Sequence, residues 1–162
     1  MNWISYLFSG ILFGFADWYF VQALQERRQL LSENFPFAAA FLSVVNFLVW
    51  ILPLLPVTFD TARRYKRCWA SGGAASLVWA AAMLSYYGWG AYQMASGKLP
   101  GWGHLNMHLS SPSEYQGKVW PTVIAVMGGE FKEWIAFAII SGFFAGVILC
   151  AIFRLGRQSQ AG

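Results

Sequence analysis

Long apolar blocks alternate along this chain with short polar stretches, and the blocks are not the narrow stripes of amphipathic soluble helices. A run of about 20 apolar residues matches the hydrocarbon thickness of a bilayer. Four spans follow from the pattern, over residues 3–24, 37–57, 68–94 and 133–153. The first ends at "QERRQ". "SENFP" precedes the second, with Ser32 or Asn34 as a cap and Pro36 in the first turn. Pro53 and Pro56 should kink or loosen the far end of that span. The third is rich in Ala, Gly and Ser, and the fourth stops at Arg154.

Residues 95–132 form the one sizeable extramembrane piece between these spans. It opens with the turn residues "SGKLPGWG". "SSPSE" then reads as a capping box: Ser111 as N-cap, Pro112 in the first turn and Glu114 as the reciprocal partner. A short helix interrupted near Pro121 is predicted there. The apolar "VWPTVIAVMGG" after it is too short to span and is expected to lie in the interface or fold back on the bundle. The class is therefore an all-α integral membrane protein. It is a single domain over residues 1–162, with four transmembrane helices and a structured outer loop between the third and fourth.

Composition sharpens this picture. The chain is 57% hydrophobic and only 11% charged, against about 25% charged for an ordinary soluble domain. The net charge of +4 is no nucleic-acid signal, because the basic residues sit between apolar blocks. There they orient a membrane protein. One side collects Arg63, Arg64, Lys66, Arg67, Arg154 and Arg157 with both termini; the other collects Arg27, Arg28, Lys98, Lys118 and Lys132. The short loops favour the first side as the inner one. The expectation is a cell (inner) membrane with both termini cytoplasmic and the long loop outside. Cys68 and Cys150 then lie near the cytoplasmic side, where two free thiols are expected. The first span lacks a basic segment before it and carries Asp17, so it is read as a retained helix rather than a signal peptide.

Asp17 interrupts "GILFGFADWYF", a segment otherwise suited to hydrocarbon. At about 100° per residue, Gly10, Gly14 and Asp17 fall within roughly 60° of one another. The GxxxG pair lets another helix approach closely, so the carboxylate is expected on a protein-facing side. Lipid exposure at mid-depth would cost about 3 kcal/mol or more. Gly142 and Gly146 repeat the device with Cys150 on the same face, and Gly72, Ser76 and Ala80 give the third span a small-residue row. Asn46, Ser85 and Ser141 lie at depths comparable to Asp17, and Lys132 sits at the outer boundary with a stem able to reach inward. Three states are open to Asp17: hydrogen-bonded, paired with Lys132, or protonated. Trp3, Trp18, Trp50, Trp69, Trp89, Trp120 and Trp134 fall near span ends and read as interface anchors.

The chemistry of the chain is otherwise sparse. No span contains a His for haem or a central Lys for a Schiff base. His104 and His108 have i, i+4 spacing and would share a metal only if that piece is helical, with Glu114 as a weak third ligand. Glu130, Lys132 and Glu133 read as a charged helix start at the water boundary. No cofactor is expected. The leading functional reading is a non-catalytic subunit that packs into or helps assemble a larger membrane complex. The alternative is a small ion or solute transporter or channel component that uses Asp17 as an intramembrane relay. A membrane enzyme acting through the outer loop ranks third. The expected partners are the lipid bilayer and other membrane subunits or further copies of the chain, with no nucleic acid.

Overall fold

The computed structural model describes residues 2–32, 37–65, 67–96, 101–102, 107–108 and 119–158. Among them the apolar blocks fold as helices α1 (Trp3–Ser32), α2 (Ala38–Val49), α3 (Leu54–Arg64), α4 (Cys68–Ala95) and α5 (Val119–Gln158). Two two-residue strands, β1 (Gly101–Trp102) and β2 (Met107–His108), pair antiparallel in the long connection. Four segments are long and apolar enough to cross a membrane: Trp3–Leu24, Ala40–Arg64, Cys68–Gln93 and Phe131–Gly156. The protein is thus an all-α, multi-pass integral membrane protein. Its outer surface fits that solvent, since Phe8, Ile11 and Leu12 of α1, Phe41 and Phe47 of α2, and Ile140, Phe144 and Ile148 of α5 all lie exposed.

Local chemistry sets the helix ends. Asn2 caps α1, its Oδ1 accepting the Ser5 backbone N–H at 2.9 Å. The N-cap position of α2 is Phe37, without a side-chain hydrogen bond, rather than Ser32, which ends α1. Asn34 and Pro36 lie outside the described residues. The second span does break at its proline. Pro53 has no N–H to donate. Around it the backbone tightens to i→i−3 bonds, such as Ile51 N–H to Leu48 O at 3.0 Å and Leu54 N–H to Ile51 O at 3.0 Å. After the break the chain resumes as α3. The expected Thr58–Arg67 loop is therefore mostly helix, since α3 runs to Arg64 and α4 begins at Cys68.

The fourth span departs further from expectation. No interruption occurs near Pro121, and α5 runs 40 residues from Val119. The physical reason is position: Pro121 lies in the first turn, where its missing N–H has no intrahelical partner to lose. The segment expected to lie apart in the interface is thus the start of α5, and Lys132 and Glu133 lie within the helix rather than at its beginning. The Ser111 capping box lies outside the described residues.

α4 is the hub. It packs along α5 and α1 and also meets α3, whereas α2 packs chiefly on α1. Small residues make the close crossings. A Cβ on Gly10 would run into Val78 O and Ala81, and one on Gly14 into Ala82 O and Ser85. On the other side of α4, Gly146 meets Ser71 and Ala75, Gly142 lies against Ala75 and Ser76, and Gly72 lies against Phe143. Ser76 adds an interhelical hydrogen bond, its Oγ donating to Ile139 O at 2.7 Å. The buried core includes Tyr6, Leu54, Val57, Ala74, Ala75 and Val78.

Cys68 and Cys150 form a disulfide across the α4–α5 seam, with Cα atoms 5.6 Å apart, which corrects the expectation of two free thiols. The same face that carries Gly142 and Gly146 brings Cys150 onto the first turn of α4, so the close approach made by the glycines also aligns the sulfurs. Intact-mass analysis without reductant should show two hydrogens fewer than the reduced chain; equal masses would exclude the bond.

The seams make a graded expectation for substitution. Gly14→Leu should lower the melting temperature in detergent most, because backbone lies in the way. Gly142→Leu should lower it less, since a Cβ there first meets neighbours at 3.2–3.3 Å. Gly88→Leu should be nearly neutral, since nothing lies within 4 Å of a Cβ at that position. Equal melting in all three would show the crossings to be incidental.

Candidate functional site

One turn beyond Gly14 on the same face of α1 comes Asp17, which lines a space between the helices. Its residue exposure is 2%. Oδ2 accepts the Trp50 indole N–H at 3.1 Å, and Oδ1 has no hydrogen-bond partner. Trp50 sits in the Pro53 break, and the break gives it a second role. Its carbonyl, left without the helical i+4 donor, accepts the Trp79 indole N–H at 2.8 Å. A chain of two indoles thus links α4, the α2–α3 break and the carboxylate of α1. The rings also meet edge to face, Trp50 with Phe13 at 5.3 Å and with Trp79 at 6.0 Å.

The space beside Asp17 is a cavity of about 400 Å³. Asp17, Val21 and Leu24 line it from α1, with Leu42, Asn46 and Phe47 from α2 and Trp50 from the break. α4 adds Trp79, Met83, Tyr86 and Tyr87, and α5 adds Trp134, Phe137 and Ala138. The cavity exists because α2 leans on α1 and makes no comparable packing with α4 or α5. Asn46 Oδ1 is a second buried acceptor without a partner. The lining therefore offers an acidic oxygen, an amide and many aromatic rings, and no basic side chain.

The structure sorts the polar residues singled out from sequence. It brings Asp17 and Asn46 to one cavity and leaves Ser85, Ser141 and Lys132 off its walls. Ser85 turns its hydroxyl back to Ala82 O at 3.0 Å, beneath the Gly14 crossing. Ser141 donates to Phe137 O of its own helix and makes no bond across the seam. Lys132 is exposed, and the indole of Trp50, not its ammonium, meets Asp17. Two tryptophans read as interface anchors are interior groups: Trp18 is 3% exposed against Tyr86, and Trp50 holds the carboxylate. Trp3, Trp69 and Trp134 remain exposed. His108 lies in β2 rather than in a helix, and His104 and Glu114 lie outside the described residues. Among the described residues no group of three His, Cys, Asp or Glu side chains could hold a metal.

A second polar group, which the sequence reading passed over, lies at the opposite end of the bundle. The Tyr6 hydroxyl donates to Asp60 Oδ2 at 2.6 Å, and Arg64 pairs with Asp60 Oδ1 at 3.0 Å. Thr58 and Thr61 bond back to Leu54 O and Val57 O, and the Thr61 and Ser71 hydroxyls share a 2.7 Å bond between α3 and α4. Every partner here belongs to the protein, so this end reads as structural closure. The signal available in sequence was "TFDTARR", which sets Thr58 and Thr61 three residues apart and Asp60 and Arg64 four apart on one helix. No family model matches the chain, nor does any curated protein or solved structure.

The Trp50 bond is testable without touching the carboxylate. Trp50→Phe keeps an aromatic ring and removes the donor, leaving Oδ2 buried and unpaired at a cost of about 1–3 kcal/mol. In the Asp17→Asn background the same change should cost less, because a neutral amide loses less on losing its donor. Thermal melting of the four proteins of this cycle should show that coupling; strictly additive melting shifts would mean that the bond contributes nothing.

Proposed function

We propose that this protein is a small membrane transporter or channel component that holds an apolar solute between its helices, with Asp17 as polar anchor and relay. One observation carries this reading: Asp17, a buried carboxylate with one oxygen lacking a hydrogen-bond partner, lines a cavity of about 400 Å³. That volume falls within the range of small-molecule sites, which combine mostly apolar walls with a few placed polar groups. An intramembrane acid that faces a cavity marks a solute or ion path in many membrane proteins. A subunit of a larger complex is less well supported by the packing. The small-residue seams that suggested outside partners are occupied within the chain, by α1 on α4 and by α4 on α5. Four helices enclose little by themselves, so a functional assembly would contain further copies.

The disulfide bears on orientation. A disulfide persists in an oxidising compartment and is rare in the cytosol. The end that carries Cys68, Cys150 and both termini is therefore assigned to the outer side of a cell membrane, the inner membrane where there are two. The loop charges argue the other way, but by six basic residues against five. A reporter fused after Gly162 should be active only when it functions outside the cytoplasm. A fusion active only in the cytoplasm would restore the orientation that the charges favour.

A second reading, the complex subunit, keeps one observation in its favour. α2 stands off α4 and α5, and a partner's helix would fit beside it. Purification in mild detergent followed by liposome reconstitution separates the two. Liposomes loaded with a pH-sensitive dye and challenged with cationic, neutral and anionic amphiphiles should show solute-dependent proton movement. Asp17→Asn should abolish it while the size-exclusion profile stays unchanged. A wild type that moves protons with no solute class, and that retains a different membrane subunit through purification, would replace transport with assembly.

A further inference from the structure

We infer that the cavity beside Asp17 takes a hydrophobic organic cation, a monovalent positive centre wrapped in apolar or aromatic groups. This inference names the solute class and rests on the reading of the cavity as a solute site.

Charge complementarity carries the argument. The lining contains a carboxylate and no Lys, Arg or His. Its only ionisable acid is almost wholly removed from solvent and has one oxygen without a donor. A carboxylate so placed is favoured by a positive partner brought to it, because an isolated buried charge is costly. The walls act in the same direction. Trp50, Trp79, Tyr86, Tyr87 and Trp134 come from the break, α4 and α5 to enclose one space. Aromatic faces carry negative electrostatic potential and attract cations, most strongly where water is excluded. Asn46 adds an acceptor, its Oδ1 also without a donor.

The same inventory argues against other occupants. A bare divalent ion prefers six or more oxygens, and the lining offers two acceptors without partners. An anion would meet the carboxylate and the ring faces with like sign. A neutral apolar molecule would fill the volume and leave Asp17 Oδ1 unpaired. Access also fits an amphiphile. Phe47 of α2 and Trp134 and Phe137 of α5 are exposed while also lining the cavity. The wall between α2 and α5 therefore meets lipid, from which a hydrophobic cation can enter sideways.

A series matched in shape tests the sign of the charge. Tetraphenylphosphonium, tetraphenylsilane and tetraphenylborate share one outline and carry positive, zero and negative charge. Equilibrium dialysis against the purified full chain in detergent should show the phosphonium binding at least tenfold more tightly than the silane, with no saturable binding of the borate. Asp17→Asn should bring the phosphonium to within a few-fold of the silane and leave the silane unchanged. Trp134→Leu, which keeps the carboxylate, should weaken the phosphonium several-fold and the silane less. Melting curves confirm that each variant is folded. Equal binding of phosphonium and silane, or phosphonium binding unaffected by Asp17→Asn, overturns the cation assignment and leaves a solute site of another class. Absence of saturable binding for all three probes overturns the solute-site reading together with it.

Discussion

The hydrogen bond from the Trp50 indole to Asp17 ties the first helix to the break in the second span. A carboxylate in hydrocarbon must have a donor, and a membrane interior without central Lys, Arg or His offers few. An indole N–H is one of them. Its use here fixes the rotation of α1, because Asp17 must point inward, and it fixes the place of the Pro53 break, because Trp50 must reach it. The break in turn frees the Trp50 carbonyl, which would be orphaned in an apolar setting. The Trp79 indole meets it from α4. Three elements are thus held by two bonds, each of which satisfies a group that hydrocarbon would penalise.

α4 can serve as hub because its sequence is small on two sides. Ala74, Ala75, Val78, Ala81 and Ala82 are buried, and the glycines of α1 and α5 close on them from opposite faces. In a bilayer there is little hydrophobic gain from bringing helices together, so short backbone distances and side-chain hydrogen bonds must supply the attraction. The Ser76–Ile139 and Thr61–Ser71 bonds are of that kind. The disulfide fastens the α4–α5 seam at the end where those faces converge. Large aromatic groups take over toward the other end, where the cavity lies.

The four spans were legible because lipid imposes a length and a composition that few other environments do. Boundaries were less so. Pro53 was read correctly as a disruption because apolar sequence continues on both sides of it. Pro121 was misread because the effect of a proline depends on whether it enters at the first turn or the middle of a helix, and nothing local says where α5 begins. Asp17 and Asn46 stood out as polar residues in apolar blocks. Their aromatic surroundings did not, since Trp near a span end reads equally as an interface anchor. Only packing shows that Trp18 and Trp50 turn inward. The disulfide was hidden for a related reason: two cysteines 82 residues apart carry no spacing signal.

The division of the bundle into a closed and an open half follows from where glycine stops. On α1 the small residues Gly10 and Gly14 hold α4 at backbone contact, and the next residue on that face is Asp17 followed by Trp18. Side chains of that size cannot repeat the backbone contact that glycine allows. α2 cannot fill the gap, because the Pro53 break ends its straight course and it leans on α1. The polar groups of the closed half, Tyr6 with Asp60 and Thr61 with Ser71, find partners within the chain. In the open half, Asp17 Oδ1 and Asn46 Oδ1 do not. A bundle that meets its polar needs so fully at one end has the residue types to do so at the other. The residues that carry these unmet acceptors both line the large gap between the helices, which is the placement a polar ligand group would answer.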